Sequence, residues 1–113
     1  MQIGDLARLS GASRRSIRHY EAAGLLTAHR RVNGYRDYDD DAVDRVAKIK
    51  ALLTAGLTLA DIGPLLSCVV DDQPTLLRCE RTIAAVERTV SDLDRRIGEL
   101  SGIRSLLVRA LPD

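Results

Sequence analysis

An apolar repeat runs through the C-terminal third of the chain and predicts a long helix there. Apolar residues recur at alternating spacings of three and four through three heptads, which is the a/d pattern of a coiled coil. The repeat consists of Leu76, Cys79, Ile83, Val86, Val90, Leu93, Ile97 and Leu100. A helix over 76–107 would be about 48 Å long at about 1.5 Å per residue. A domain of this size cannot bury such a stripe, and the sequence has no second helix of comparable length. We therefore predict a homodimer.

The repeat loses its phase near the end of this helix. After Leu100 the next positions in phase would be Arg104 and Leu107, with Ile103 offset. We expect the dimer interface to consist of Ile83, Val86, Val90, Leu93, Ile97 and Leu100. A polar break (Asp-Asp-Gln-Pro, 71–74) precedes the helix. The sequence therefore predicts two units, a head over 1–70 and a dimerisation arm over 75–110.

The composition is that of a helical protein. The 113 residues include no Trp, no Phe and only three Tyr, so the apolar content is mostly aliphatic. Met1 leads into amphipathic sequence without an apolar signal segment, and no run approaches the roughly 18 apolar residues of a membrane span. We expect a soluble, cytoplasmic protein with no membrane contact.

The first two predicted helices form a helix-turn-helix candidate. Apolar residues at helical spacing begin the chain, and Gly11 is placed to end the first helix. Ser13 is placed to cap a second helix over 14–23, which Gly24 closes. Two short helices joined by a tight turn are the arrangement that many DNA-binding proteins use.

Two further short helices are predicted before the arm. Acidic residues at 39–41 are expected to cap and charge the N-terminus of the third helix. Thr58 and Asp61 resemble a capping box for the fourth. Because proline removes a hydrogen bond inside a helix, Gly-Pro at 63–64 should leave this helix short, kinked or partly 3₁₀.

A basic segment with a turn signal separates the second helix from the third. Between residues 8 and 36 seven arginines face a single acid, Glu21. The arginines are Arg8, Arg14, Arg15, Arg18, Arg30, Arg31 and Arg36. Asn33-Gly34 predicts a β-hairpin, or wing, closing at about Tyr38, since both residues tolerate positive φ. Such a local excess of positive charge favours a nucleic-acid partner.

Side chains suited to duplex DNA cluster on the second helix and the wing. Arginines near the start of that helix can enter the major groove, and His19 and Tyr20 can donate to phosphates. The wing can reach a neighbouring stretch of backbone, with salt-dependent attraction from its arginines. For Tyr35 and Tyr38, packing against the second helix is as strong an interpretation as a phosphate contact, and each residue could serve one role.

These motifs together resemble the mercury-resistance regulator (MerR) family. The resemblance rests on IGDLA at 3–7, SRRSIRHYE at 13–21, GLL at 24–26, GYRDY at 34–38 and LTLADI at 57–62. It implies a mainly α fold, in which a winged helix-turn-helix head of four short helices and a small β-hairpin carries a long C-terminal antiparallel coiled-coil dimerisation helix. It also implies that a homodimer binds a palindromic promoter site, then bends and untwists the spacer so that RNA polymerase can engage it.

The resemblance also implies which residues touch DNA. Carried over position by position, they are Arg14, Arg15, Ser16, Arg18, His19, Tyr20, Asn33, Tyr35 and Arg36. Gly-Pro at 63–64 departs from the charged residues usual there, so we expect an unusual link between head and arm. The chain stops at Asp113, which we interpret as a short form without a C-terminal effector domain.

The cysteines leave alternatives open. Cys79 occupies a repeat position, so seam packing is the preferred interpretation, and Cys68 is expected to be a small buried residue. A metal or thiol-stress sensor using both cysteines is one alternative function, and an effector-free architectural DNA-binding protein is another. No nucleophile–base pair or glycine-rich phosphate loop is evident, so we expect neither an enzyme nor a cofactor.

Overall fold

The computed structural model describes residues 1–70 and 75–113 of the chain. Its helices are α1 (Ile3–Ser10), α2 (Arg14–Ala22), α3 (Ala42–Thr54), α4 (Leu59–Leu65) and α5 (Glu80–Ala110), with a 3₁₀ turn at Leu66–Cys68. Strands β1 (His29–Arg30) and β2 (Arg36–Asp37) pair antiparallel between α2 and α3. The predicted mainly helical fold, with a small hairpin and a long last helix, is confirmed.

The helix ends follow the local sequence signals. Gly11 ends α1 in the left-handed conformation, with φ 75°, and its N–H donates to the Ala7 carbonyl oxygen at 3.0 Å. The Ser13 hydroxyl caps α2 by accepting from the Ser16 N–H at 3.0 Å. The predicted capping box of Thr58 and Asp61 is present at the start of α4.

Two other predicted helix ends turn out differently. Asp41 precedes α3, but its side chain makes no capping hydrogen bond within the described residues, so the predicted side-chain cap is wrong. Its charge still favours the positive end of the helix dipole. α4 has only 7 residues, contains Pro64 and gives way to the 3₁₀ turn, as the Gly-Pro pair predicts.

The wing closes with a three-residue loop. The Arg31 N–H donates to the Tyr35 carbonyl oxygen and the Gly34 N–H donates to the Arg31 carbonyl oxygen, each at 2.9 Å. Gly34 has φ 85°, whereas no residue other than glycine has positive φ in the described part of the chain. Positive φ is therefore needed only at Gly34, as in a type I turn that ends in a glycine bulge. The Asn33 side chain instead accepts from the Tyr35 N–H at 3.2 Å.

The core of the head is centred on α3. Val46, Ile49 and Leu52 of α3 are completely buried, and they form one cluster with Leu6 of α1 and Ile17 of α2. Because this buried stripe fixes one face of each helix, the opposite face of α2 is held at the surface.

The arm begins later than the repeat predicts. Leu76 pairs with Val69 in an isolated antiparallel bridge, and the Leu77 N–H donates to the Cys68 carbonyl oxygen at 2.8 Å. This bridge needs extended backbone, so α5 starts only after Cys79, which is its N-cap. The prediction that this helix begins at Leu76 is therefore wrong, and the predicted polar break at 71–74 lies outside the described residues. The 31 residues of α5 span about 46 Å.

The first turns of α5 are joined to the head by a second stripe of residues beside the repeat. Thr82 and Ala85 are buried, and Arg88 lies 2.8 Å from the Asp61 carboxylate of α4. Farther along, the predicted seam is open to solvent: Val86, Val90, Leu93, Ile97 and Leu100 are 39–65% exposed.

None of the helices within 1–70 and 75–113 is both long and apolar enough to span a membrane.

Candidate nucleic-acid interface

One face of α2 is presented to solvent and is strongly basic. Ile17 and Tyr20 are buried in the head, which turns Arg14, Arg15 and Arg18 outward. The Ser13 cap leaves the positive end of the helix dipole at the surface, where it favours anions. The start of α2 therefore combines three guanidinium groups with a favourable dipole.

The residues predicted to contact DNA divide between two sides of α2. Arg14 and Arg18 face a depression shared with the wing. On the other side, a groove between α2 and the helices α3 and α4 is lined by Arg15, Ser16, Arg18, His19 and Tyr20, together with Leu53 and Leu59. Arg18 borders both, so it stands at the centre of the basic face.

The wing completes the depression from the opposite side. Arg30, Gly34, Tyr35 and Arg36 line it together with Arg14, Arg18, Gln2 and Ile3. Tyr35 is 61% exposed, which leaves its ring free to contact a ligand. Asn33 lies at the wing tip beside Arg30, Arg31 and Val32. The structure thus brings two separate stretches of sequence together as one basic surface.

Several predicted contact residues are partly engaged within the protein. Ser16 accepts from the Ser13 hydroxyl at 2.9 Å and so belongs to the cap of α2. Tyr20 is only 5% exposed, so its ring is core, although the residue still borders the groove beside His19. The side-chain oxygen of Asn33 accepts from the Tyr35 N–H within the wing, which leaves the side-chain N–H groups of Asn33 for a ligand.

Tyr38 and Tyr35 take different positions. Tyr38 is 1% exposed, and its hydroxyl donates to Glu21 Oε1 at 2.9 Å. Burial, with the hydrogen bond to Glu21 as the next cause, raises the pKa of Tyr38 to about 12. Tyr38 is therefore a packing residue, whereas Tyr35 is placed for contact.

Two acidic residues hold the wing, and the sequence pattern does not identify either as part of the site. Glu21 lies 3.4 Å from Arg36 Nε. Asp37 accepts from the Met1 ammonium at 2.9 Å and lies 3.2 Å from Arg31. The ammonium, followed by Arg31, holds the pKa of Asp37 below its ordinary value. The available signal for Glu21 was its position as the single acid among seven arginines.

The cysteines lie near the joint between head and arm. Cys79 is exposed in the single chain and is the N-cap of α5, and its packing in a dimer seam stays a prediction. Hydrogen bonds from the backbone and then the side chain of Thr82 lower the pKa of the Cys79 thiol. Cys68 is half-buried. Within residues 1–70 and 75–113, no three His, Cys, Asp or Glu side chains are grouped so that they could hold a metal ion.

Two family models match most of the chain. The model for "MerR HTH family regulatory protein" matches residues 1–67, which include α1 to α4 and the wing. The model for "MerR, DNA binding" matches residues 43–110, which include α3 except its first residue, α4 and α5. The two matches overlap from residue 43 to residue 67 and together extend over the head and the arm.

Individual relatives match over part of the chain. Nodulation protein NolA of Bradyrhizobium elkanii is 44% identical over 62 residues, which are 54% of this chain and 28% of that protein. The mercuric resistance operon regulatory protein of Bacillus cereus is 40% identical over 73 residues, 64% of this chain and 55% of that protein. The chain therefore spans about half or less of these relatives.

The structural match includes the arm. The transcription regulator PbrR691 from Ralstonia metallidurans CH34, solved in complex with lead(II), superposes with a TM-score of 0.75 at 28% identity. The superposition covers 96% of this chain and 83% of that one.

Proposed function

The chain belongs to the MerR family of helix-turn-helix regulatory proteins, and on that premise we propose that it regulates transcription by binding promoter DNA as a homodimer. The observation that carries the proposal is the convergence of Arg14 and Arg18 of α2 with Arg30 and Arg36 of the wing. Guanidinium groups bind phosphate through paired N–H donors, and groups on two elements can hold two neighbouring stretches of backbone.

In this proposal α2 enters the major groove and the wing contacts the adjacent backbone. Arg14, Arg15 and Arg18 near the start of α2 are the candidates for base edges and groove walls, with Ser16, His19 and the edge of Tyr20 beside them. On the wing, Asn33, Tyr35 and Arg36 are the candidates for phosphate and sugar contacts. Base contacts from α2 would set the preferred sequence, and wing contacts would set affinity.

We propose that dimerisation proceeds through the seam of α5. The seam side chains Val86 to Leu100 are exposed in the single chain, and covering a Val, Leu or Ile contributes about 1.5–3 kcal/mol. Beside the seam, Leu52 and Leu57 of the head form an apolar groove with Val90 and Leu93. A second arm lying along α5 would cover both surfaces.

We further propose that the head, 1–70, binds DNA and that the arm, 75–110, forms the dimer. Antiparallel arms would place one head at each end of the dimer, so that the two α2 helices reach the half-sites of a palindrome. Two heads on a rigid arm can bend and untwist the DNA between them, at an energy cost that depends on its sequence. In the cytoplasm, RNA polymerase would then respond to the altered spacer.

The test is selection of bound duplexes from a random DNA pool, followed by a salt titration on the enriched sequence. A palindrome should be enriched. Arg18→Ala should weaken its binding and reduce the slope of log K against log salt by about 0.9, the value for one lost phosphate contact. Tyr35→Ala should weaken binding as well, through a lost wing contact.

The matched control is Arg95→Ala. Arg95 is exposed on α5 and pairs only weakly with its helix neighbours Asp92 and Glu99, at 3.5 and 3.4 Å. Arg95→Ala lowers the net charge by the same amount as Arg18→Ala, but Arg95 lies away from the basic surface. Equal losses for both variants, or enrichment of no duplex at all, would contradict the proposal.

The two alternative functions have less support. If the protein is a cysteine-based sensor, changing Cys68 and Cys79 to Ser should abolish its response to a metal or an electrophile. The described residues, however, hold no cluster of side chains that could bind a metal ion. If the protein is an architectural DNA-binding protein, it should bind at many sites with weak sequence preference. The same random-pool selection separates that outcome from a single sharp palindrome.

A further inference from the structure

Glu21 connects the two elements that form the basic surface. It lies near the C-terminal end of α2, one turn beyond Arg18 on the side that faces the wing. Its Oε1 accepts from the buried Tyr38 hydroxyl at 2.9 Å, and its Oε2 lies 3.4 Å from Arg36 Nε. Tyr38 follows β2, to which Arg36 belongs. The Glu21 carboxylate therefore contacts both Arg36 and Tyr38 and attaches this end of the wing to α2.

The contact with Arg36 is made from the side of the guanidinium group. In this ion pair Arg36 Nε lies 3.4 Å from Glu21 Oε2. The Arg36 side chain is 40% exposed, and the residue lines the depression with Arg14 and Arg18. The ion pair therefore restrains the guanidinium group at the edge of the depression, where its remaining N–H donors can reach a phosphate.

We propose that Glu21 is a positioning residue for DNA binding, which holds Arg36 of the wing in its orientation relative to α2. The inference rests on the proposed function. It runs against simple electrostatics, in which removing an acid from a basic surface strengthens binding to phosphate. Positioning and repulsion thus predict changes of opposite sign.

Glu21→Gln is the variant that separates the two. Glutamine has the same shape and its carbonyl oxygen can still accept from the Tyr38 hydroxyl, but it is neutral and so loses the ion pair with Arg36. We expect the affinity for the duplex enriched from the random pool to fall roughly five-fold, the equivalent of one net hydrogen bond. The salt slope should fall by about 0.9 as Arg36 loses its phosphate.

Asp40→Asn is the charge-matched control. Asp40 is exposed and follows the wing without belonging to it, and its substitution raises the net charge by the same amount. Binding by this variant should be unchanged or slightly tighter. Binding by Glu21→Gln as tight as that of the control would overturn the inference.

A double-mutant cycle with Arg36→Ala tests whether Glu21 acts through Arg36. In the Arg36→Ala background, Glu21→Gln should cost little further affinity, because the positioned group is already absent. Equal losses in both backgrounds would show general destabilisation and overturn the inference. Should Glu21→Gln not fold, Arg36→Lys replaces it, since lysine keeps the charge and loses the side-on contact. Wild-type binding by Arg36→Lys would overturn the inference too.

The wild-type protein in the same titration distinguishes the two proposals. If it binds neither the enriched duplex nor mixed-sequence duplex DNA at low salt, the proposed function fails and the inference fails with it. If it binds and Glu21→Gln binds equally well, only the positioning role of Glu21 fails.

Discussion

Tyr38 illustrates how one buried side chain can fix a surface element. Its ring lies in the core and its hydroxyl donates to Glu21, so the end of the wing is attached to α2 from the inside. The motif that contains Tyr38 is visible in the sequence, but its role is not, because its partner is 17 positions away. The exposed arginines of α2 could be predicted from the sequence, since local helical periodicity decides which face they occupy.

The Tyr38 hydroxyl should make stability depend on alkaline pH. Its pKa rises from an ordinary 10.0 to about 12 in the folded protein. Its contribution to stability is therefore complete below about pH 10 and is lost as pH rises through about 12. Tyr38→Phe should cost about 1 kcal/mol at neutral pH and should reduce the alkaline loss.

Urea unfolding at a series of pH values measures this effect. Tyr35→Phe is the control, because it removes the same hydroxyl group from an exposed side chain. An alkaline loss of the same size in Tyr38→Phe and in Tyr35→Phe would contradict the assignment.

The helices show where a sequence pattern suffices and where it fails. The ends of α1, α2 and α4 follow from Gly11, Ser13 and the Thr58 capping box, each of which acts within a few residues. The start of α5 could not be found this way, because the Val69–Leu76 bridge that delays it is a contact outside the helix. A prediction from periodicity alone places the start of the helix too early, because periodicity carries no information about tertiary contacts.

The seam of α5 should determine the oligomeric state. Ile97→Glu should weaken dimerisation by at least about a hundred-fold, because each dimer loses two isoleucines worth about 1.5–3 kcal/mol each when buried. Ser91→Glu adds the same charge outside the seam and should leave the dimer intact. Sedimentation velocity measures both, and a monomeric wild-type protein of 12.4 kDa at micromolar concentration would refute the seam.

A single chain leaves much of its own apolar surface uncovered. It extends 69 Å along its longest axis and only 20 Å along its shortest, and most of α5 stands clear of the head. Length and periodicity were enough to predict this shape, since the head is too small to cover a helix of about 46 Å. The depression between α2 and the wing could not be predicted in the same way, because it depends on how the hairpin packs on the core.

The most direct test of a dimeric DNA-binding regulator is the mass of its complex with the enriched duplex in solution. Two chains per duplex are expected, with Ile97→Glu reducing binding to the weak level of a single head, because the two half-sites would no longer be held by one dimer. One wild-type chain per duplex, or equal affinity for a half-site and for the full palindrome, would contradict the account.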